Sequence, residues 1–253
     1  METIVNFREL ANFKTTDGRK IKPGVFFRSG ELVKISKDDK EALLDTYKVR
    51  HIYDFRNSQE VNERPDDKFS GADYHHIDLM KDDKGGSASL DDMVNMSSFD
   101  PNQAMYKIYE EIILSNSGKT GYQEFFEDVL SHEEEAVLFH CFAGKDRTGM
   151  AAGLLLSILN TNPQDIMDDY LKTNEARKSA NDEILATLAK HGFSKSRLDS
   201  IELMLYVKPE YLKHGFQVIK KNFDTVENYF LSKDGLNLPK SSITDMKKLY
   251  TVE

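Results

Sequence analysis

The sequence predicts an α/β fold: a central, mostly parallel sheet flanked by helices, with a helical carboxyl-terminal part. Three observations carry that expectation. The runs Val49–Phe55, Tyr74–Leu79 and Ala136–His140 have the length and the β-branched, aromatic and aliphatic content of strands, and enough chain separates them for crossover helices. Two stretches between the second and third runs place apolar residues at i, i+3, i+4, i+7 and i+8, namely Met105, Ile108, Tyr109, Ile112 and Ile113, then Tyr122, Phe125, Phe126, Val129 and Leu130. After His140 the pattern turns helical to the end of the chain.

Taken in order, Asp17-Gly18 between Asn12-Phe13-Lys14 and Lys20-Ile21 reads as a hairpin on a type I′ turn, and Val25-Phe26-Phe27 as a short strand. Ser36 is placed to cap a helix running through Tyr47, with Leu43 and Leu44 turned inward. The stretch Met80–Gln103 is polar and rich in Gly, Ser and Asp, and its length suits a lid over an active site or a plain surface loop. Gly149–Leu159 is apolar all round, the pattern of a buried helix. Further helices are expected at Pro163–Leu171, Ala180–His191, Ser196–Leu205, Pro209–Asn222, Thr225–Leu231 and Ser242–Tyr250, the last with Ser242 and Asp245 in the spacing of a capping box. With no repeat and no Pro-rich linker, residues 1–253 are read as a single domain.

Composition narrows the function. At 253 residues, 39% hydrophobic and 30% charged, with 15 Phe and 11 Tyr, the chain can bury a full core without a metal or disulfide. Its net charge of −9 disfavours general binding to nucleic acid or anionic lipid, so any anion site must be local. The lone cysteine, Cys141, excludes an internal disulfide and a Cys-cluster metal site. No apolar run is long enough to span a membrane and METIVNFREL lacks the layout of a secretory signal, so the expected location is cytoplasmic, with secretion by a route that needs no signal peptide left open.

The chemistry is concentrated where the third strand ends. There His140-Cys141-Phe142-Ala143-Gly144-Lys145-Asp146-Arg147-Thr148-Gly149 joins a hydrophobic strand to a buried helix. A loop at that junction turns backbone N–H groups inward, and with the helix dipole it forms an anion cradle. Gly144 and Gly149 permit the tight turn and close approach this needs. Lys145, Arg147 and the helix terminus favour the Cys141 thiolate, the nucleophilic form. The planar fork of Arg147 can hold two oxygens of a phosphoryl group, and the Thr148 hydroxyl can donate to the sulfur. His140 is expected to orient the loop rather than trade protons. An isolated buried cysteine is more often an inert small hydrophobe. The polar and glycine residues crowded into the next positions weigh against that reading.

The His-Cys-x-x-Gly-Lys-Asp-Arg-Thr-Gly run resembles the signature loop of the cysteine-dependent protein tyrosine phosphatases. Its Gly-Lys-Asp-Arg form looks like the bacterial branch of triple specificity, for phosphotyrosine, phosphoserine/threonine and phosphoinositides. Asn6-Phe7-Arg8-Glu9-Leu10, Gly24–Gly30 and Ile52-Tyr53-Asp54-Phe55-Arg56 are similar to that family's amino-terminal landmarks, and Asp169-Tyr170-Leu171 and Pro209-Glu210-Tyr211-Leu212 to its helical carboxyl half. The resemblance implies a tyrosine-phosphatase-like fold and a phosphocysteine intermediate on Cys141. It also implies phosphate binding by Arg147 and the loop residues Phe142, Ala143, Gly144, Lys145, Thr148 and Gly149, and a general acid at Asp146. Asp146 as a mere brace of the loop stays open, as do Asp78, Asp91, Asp92 and Asp100 as rival acids. Lys145 either meets a second phosphate or only strengthens the local positive field. Asp54 and Arg56 either reach the site rim or form a structural ion pair, and Arg28 is a weaker case of the same kind.

The expected partners are phosphorylated protein or phosphoinositide substrates, without nucleic acid or integral membrane association. No organic cofactor and no metal are expected. His75 and His76 point to opposite faces of a strand, and His51, His132, His191 and His214 lack ligand-like spacing. The charged runs Lys37–Lys40 and His132–Glu135 read as solvated faces. The rival functions are a phosphate-recognition module without catalysis and a rhodanese-like sulfurtransferase.

Overall fold

The computed structural model describes residues 1–82, 100–133 and 135–253. Strands β1 (Arg8–Glu9), β3 (Phe26–Ser29), β4 (Val49–Asp54), β5 (Asp73–His76) and β6 (Ala136–His140) form one sheet in the order β1-β3-β6-β4-β5. All its pairings are parallel except β1 with β3. β2 (Lys20–Ile21) pairs instead with β7 (Thr251–Val252), which ties the amino-terminal hairpin to the end of the chain.

β6 lies at the centre, and all five of its residues are buried. Its side chains alternate between the two faces, as the pleat requires. Ala136 and Leu138 join a smaller core with Phe27, Leu43, Val49 and Ile52. Val137, Phe139 and then Cys141 enter the larger core, which holds the buried faces of α3 (Pro101–Leu114), α4 (Asn116–Ser131) and α5 (Arg147–Ile158). The stripes predicted on α3 and α4 are the buried ones, apart from half-buried Leu130. α5 is buried nearly all round.

Shorter helices complete the first half. α1 (Lys37–Glu41) is capped by Ser36 and widens into a π-helical turn over Ala42–Thr46, while Leu44 stays half-buried beside buried Leu43. α2 (Ser58–Glu63) opens on a capping box between Asn57 and Glu60. The second half is helical, as expected: α6 (Pro163–Ala176), α7 (Lys178–Lys190), α8 (Lys195–Leu205), α9 (Pro209–Phe223), α10 (Val226–Leu231) and α11 (Ser242–Tyr250).

Three local expectations are corrected. The hairpin turn is not type I′, because only Gly18 has positive φ (89°) where that turn needs two such residues. The bonds Gly18 N–H to Thr15 O and Thr15 N–H to Arg19 O instead close a three-residue loop with Gly18 in the left-handed position. The strand expected at Tyr74–Leu79 is β5, which ends at His76. The last helix has Ser241 at its N-cap without a side-chain cap bond, so Ser242 is inside the first turn and buried. Most of Met80–Gln103, including Asp91 and Asp92, falls outside the described residues.

Candidate active site

The parallel register aligns the carboxyl ends of the strands, with Asp54 of β4 opposite His140 of β6 and Ser29 of β3 opposite His140 on the other side. The loop 141–146 leaves from this edge, the usual place for a ligand in a parallel α/β sheet. Gly144 sits at φ 65°, and a Cβ there would clash with the Ser29 carbonyl, so both conformation and space demand glycine.

The loop is held from outside by its carbonyls. Asn6 Nδ2 donates to Ala143 O (3.1 Å) and Gly144 O (2.9 Å), Arg28 Nη2 to Gly144 O (2.7 Å), and Arg177 Nη1 to Ala143 O (3.2 Å). With the carbonyls engaged outward, the peptide N–H groups are left to the inner side, around Cys141. Arg28 is braced in turn by Asp169 (2.7 Å), which also holds Arg8 (2.7 Å). Burial, then the neighbouring Arg8, pull the Arg28 guanidinium down to about 10, still charged at neutral pH.

Arg147 begins α5 and is clamped in a fork by Glu60, Nη1 to Oε2 at 2.6 Å and Nη2 to Oε1 at 2.9 Å. Burial opposes the charge on this arginine, but the Glu60 carboxylate outweighs it and holds the guanidinium above its ordinary range. The Nε of Arg147 and the hydroxyl of Thr148 are buried and have no protein partner among the described residues. A buried donor left unpaired costs about 1–3 kcal/mol, so these two groups suit an anion bound inside the loop.

Asp146 occupies the N-cap of α5, yet its carboxylate makes no cap bond. It accepts from the Tyr109 hydroxyl (3.0 Å) and lies 3.3 Å from Lys145 Nζ. Tyr109 is linked to Tyr170 at 2.6 Å, and burial holds both phenols neutral far above the ordinary range. Asp146 is therefore oriented by the Tyr109 hydroxyl and the Lys145 ammonium rather than spent on the helix. Of its rivals, Asp78 accepts from Ser58 and Asp100 caps α3.

Lys145 is not at an open rim. It is 2% exposed and donates to the Met204 carbonyl at the end of α8, and burial lowers the pKa of its ammonium. Asp54 and Arg56 form the structural pair: Arg56 spans Asp54 (2.7 Å), Asp66 (2.7 Å) and Glu31 (3.1 Å), with both Asp54 and Arg56 fully buried. His140 belongs to the same network, with Nε2 2.8 Å from Asp66 and Nδ1 3.9 Å from Asp54. Burial would lower its pKa, but the two carboxylates override this and raise it to about 9. His140 is thus a fixed cation at neutral pH, one residue before Cys141.

Cys141 is 2% exposed. Two hydrogen bonds tie the loop to the helical half, Arg177 just before α7 to the Ala143 carbonyl and Lys145 to the Met204 carbonyl of α8. A cleft of about 460 Å³ is lined by Glu60, Arg64, Phe142, Arg177, Ile184 and Leu188 among others. Glu60, Asp66 and Arg177 were not singled out from the sequence, and Asn6 entered only as part of the Asn6–Leu10 landmark, without a role. Only Glu60 carried a usable local signal, the Asn57-x-x-Glu60 spacing of a capping box.

Comparison with known proteins agrees with this arrangement. The profile of the Tyrosine phosphatase family matches residues 1–252. A Cupriavidus necator protein provisionally named a tyrosine-protein phosphatase is 29% identical over 234 residues, covering 90% of this chain and 81% of its own. The triple specificity protein phosphatase PtpB of Mycobacterium tuberculosis is 28% identical over 255 residues, covering 88% and 89%. A tyrosine-protein phosphatase of Nostoc commune is 31% identical over 150 residues, covering 57% and 47%. The strand–loop–helix built around Cys141 and the match across the chain lead to one conclusion: this protein belongs to the tyrosine phosphatase family, and it is a phosphoric monoester hydrolase.

Proposed function

We propose that the chain hydrolyses phosphotyrosine through a phosphocysteine on Cys141, and that it also accepts phosphoserine/threonine and phosphoinositides. The observation that carries the mechanism is the loop held by its carbonyls around one buried cysteine, with Arg147 locked by Glu60. In the first step the Cys141 sulfur attacks phosphorus in line. The S–P bond forms as the P–O bond to the alcohol breaks, and the leaving oxygen takes the proton of Asp146. Loop N–H groups, Arg147 Nε and Thr148 hold the non-bridging oxygens as charge shifts. In the second step water attacks phosphorus, gives its proton to the Asp146 carboxylate, and releases phosphate and the thiolate.

Cys141 lies at the base of the loop, 2% exposed, beside the cleft that Phe142, Glu60 and Arg177 help to line. Buried Lys145 favours a role in the local field over contact with a second phosphate. The breadth of substrate rests on the Gly-Lys-Asp-Arg form of the loop and on the relative named for triple specificity. A single unpaired nucleophilic thiol suits a reducing compartment, in keeping with a cytoplasmic enzyme.

The test is phosphate release from a phosphotyrosine peptide, a phosphoserine peptide and a short-chain phosphoinositide, with Cys141→Ser as blank. Release from all three is expected. Release from the phosphotyrosine peptide alone would reduce the proposal to a tyrosine phosphatase. Binding without release would replace it with a recognition module.

A further inference from the structure

Away from the catalytic loop, the fold collects three histidines that the sequence keeps far apart. His51 is on β4, His75 on the neighbouring β5, and His132 caps the carboxyl end of α4. His51 pairs in register with Val137, four residues before Cys141, which puts it about 13 Å along the sheet from the nucleophile. Each histidine offers a ring nitrogen within 4.8 Å of the others. The His51 and His132 rings stack at 3.5 Å, and the His75 ring lies 5.7 Å from His51 and 6.0 Å from His132. The reading of His132–Glu135 as a solvated face holds for exposed Glu133 and Glu135 and is corrected at His132, which is half-buried on His51; Glu135 also bonds His51.

The hydrogen bonding of the cluster is one-sided. His51 Nε2 meets Glu135 at 2.8 Å and His75 Nδ1 lies 3.7 Å from Asp128. His51 Nδ1, His75 Nε2 and His132 Nε2 are buried and have no partner among the described residues. For His51 the Glu135 carboxylate on one ring nitrogen fixes the tautomer and leaves the lone pair of the other nitrogen free, the outer-shell pattern of metal-binding imidazoles, while Asp128 stands at ion-pair distance from His75. A second group of metal-ligand type, Asp54, Asp66 and His140, is different, because the Arg56 guanidinium already bonds both carboxylates.

We propose that His51, His75 and His132 form a site for one divalent transition-metal ion of the zinc class. Three neutral imidazoles suit such an ion and give a hard cation such as magnesium little. Bonds of about 2.0–2.1 Å in a tetrahedral arrangement set ligand nitrogens roughly 3.4 Å apart. Binding therefore draws the rings together by on the order of 1 Å and tilts the stacked pair so that both lone pairs meet the ion. The His75 side chain is 27% exposed, which leaves an entry path and a place for water as fourth ligand. The bound ion would tie the end of α4 to the edge of the sheet.

The test uses the untagged, chelator-stripped full chain, titrated with Zn²⁺ and with Co²⁺ against a competing chromophoric chelator. One equivalent is expected, with a dissociation constant in the micromolar range or below and a higher Tm at saturation. His51→Ala, His75→Ala and His132→Ala should each weaken binding at least about tenfold, and Cys141→Ser should leave it unchanged. His75→Ala, at the most open position, should also retain wild-type turnover of an aryl phosphate, which confirms that it folds. No binding by the wild-type chain would overturn the proposal, as would one equivalent retained in the histidine variants or lost in Cys141→Ser.

Discussion

The two ends of strands β4 and β6 treat buried polar groups in opposite ways. At the carboxyl end, Asp54, Arg56, Asp66 and His140 form one ion-pair network, and Glu60 holds Arg147. At the amino end, three imidazoles turn unpartnered nitrogens into shared space. For the activity proposed, the first arrangement would pre-organise a site for an anion: charges fixed before substrate arrives leave little reorganisation for the transition state. The second gathers donors of electron pairs with the carboxylates of Glu135 and Asp128 beside them, which suits a cation. One sheet thus carries both, and the difference lies in which neighbours answer each buried side chain.

The largest expected effect follows from removing the nucleophile. Cys141→Ser should lower kcat by about 10⁴-fold or more while phosphate still binds, as measured by turnover and by isothermal titration. Asp146→Asn comes next. It should slow esters with poor leaving groups by about 10²–10⁴-fold and those with good ones far less in the bond-breaking step, since only the former need the proton. Equal slowing in a leaving-group series would make Asp146 a brace.

Glu60→Gln should cost about 10²-fold in kcat/KM, because the fork that aims Arg147 is lost. It should also lower stability by about 3 kcal/mol in denaturant titration, since it leaves a buried guanidinium without its carboxylate. A smaller effect is written in pH. His140, raised to about 9 by Asp66 and Asp54 against its burial, adds stability that is complete below the ordinary histidine pKa and lost as pH rises through about 9. The fall between pH 6.5 and 9.5 should approach ~3 kcal/mol, and His140→Asn should flatten it. At the other end, His75→Ala should leave aryl phosphate turnover unchanged, and a loss there would show that the two ends of the sheet are coupled.

What was legible in the sequence was local or continuous. β6 could be bounded to the residue because a strand buried on both faces reads as an unbroken apolar run. The loop proposed to be catalytic could be read because Cys141, Asp146, Arg147 and the glycines stand close together in the chain. The groups that fix the loop were hidden by chain distance: Glu60 acts on Arg147 across 87 positions, Asn6 on Gly144 across 138 and Arg177 on Ala143 across 34. The histidine cluster was hidden for the same reason, since ligand spacing along one segment is silent about residues joined by a parallel pairing and a helix end. Details of turn and cap failed differently. Gly18 serves either turn type, and Ser241 and Ser242 offer the same side chain at two successive positions, so composition alone could not choose.

The covalent intermediate on Cys141 is most directly tested in the Asp146→Asn variant. With an aryl phosphate of good leaving group, bond breaking needs no acid, whereas hydrolysis of the intermediate still needs the base. Rapid mixing followed by acid quench and peptide mass analysis should show one equivalent of phenol released in a burst and one phosphoryl group on the peptide carrying Cys141. Turnover without a burst and without phosphoryl on Cys141, or the same burst in Cys141→Ser, would contradict it.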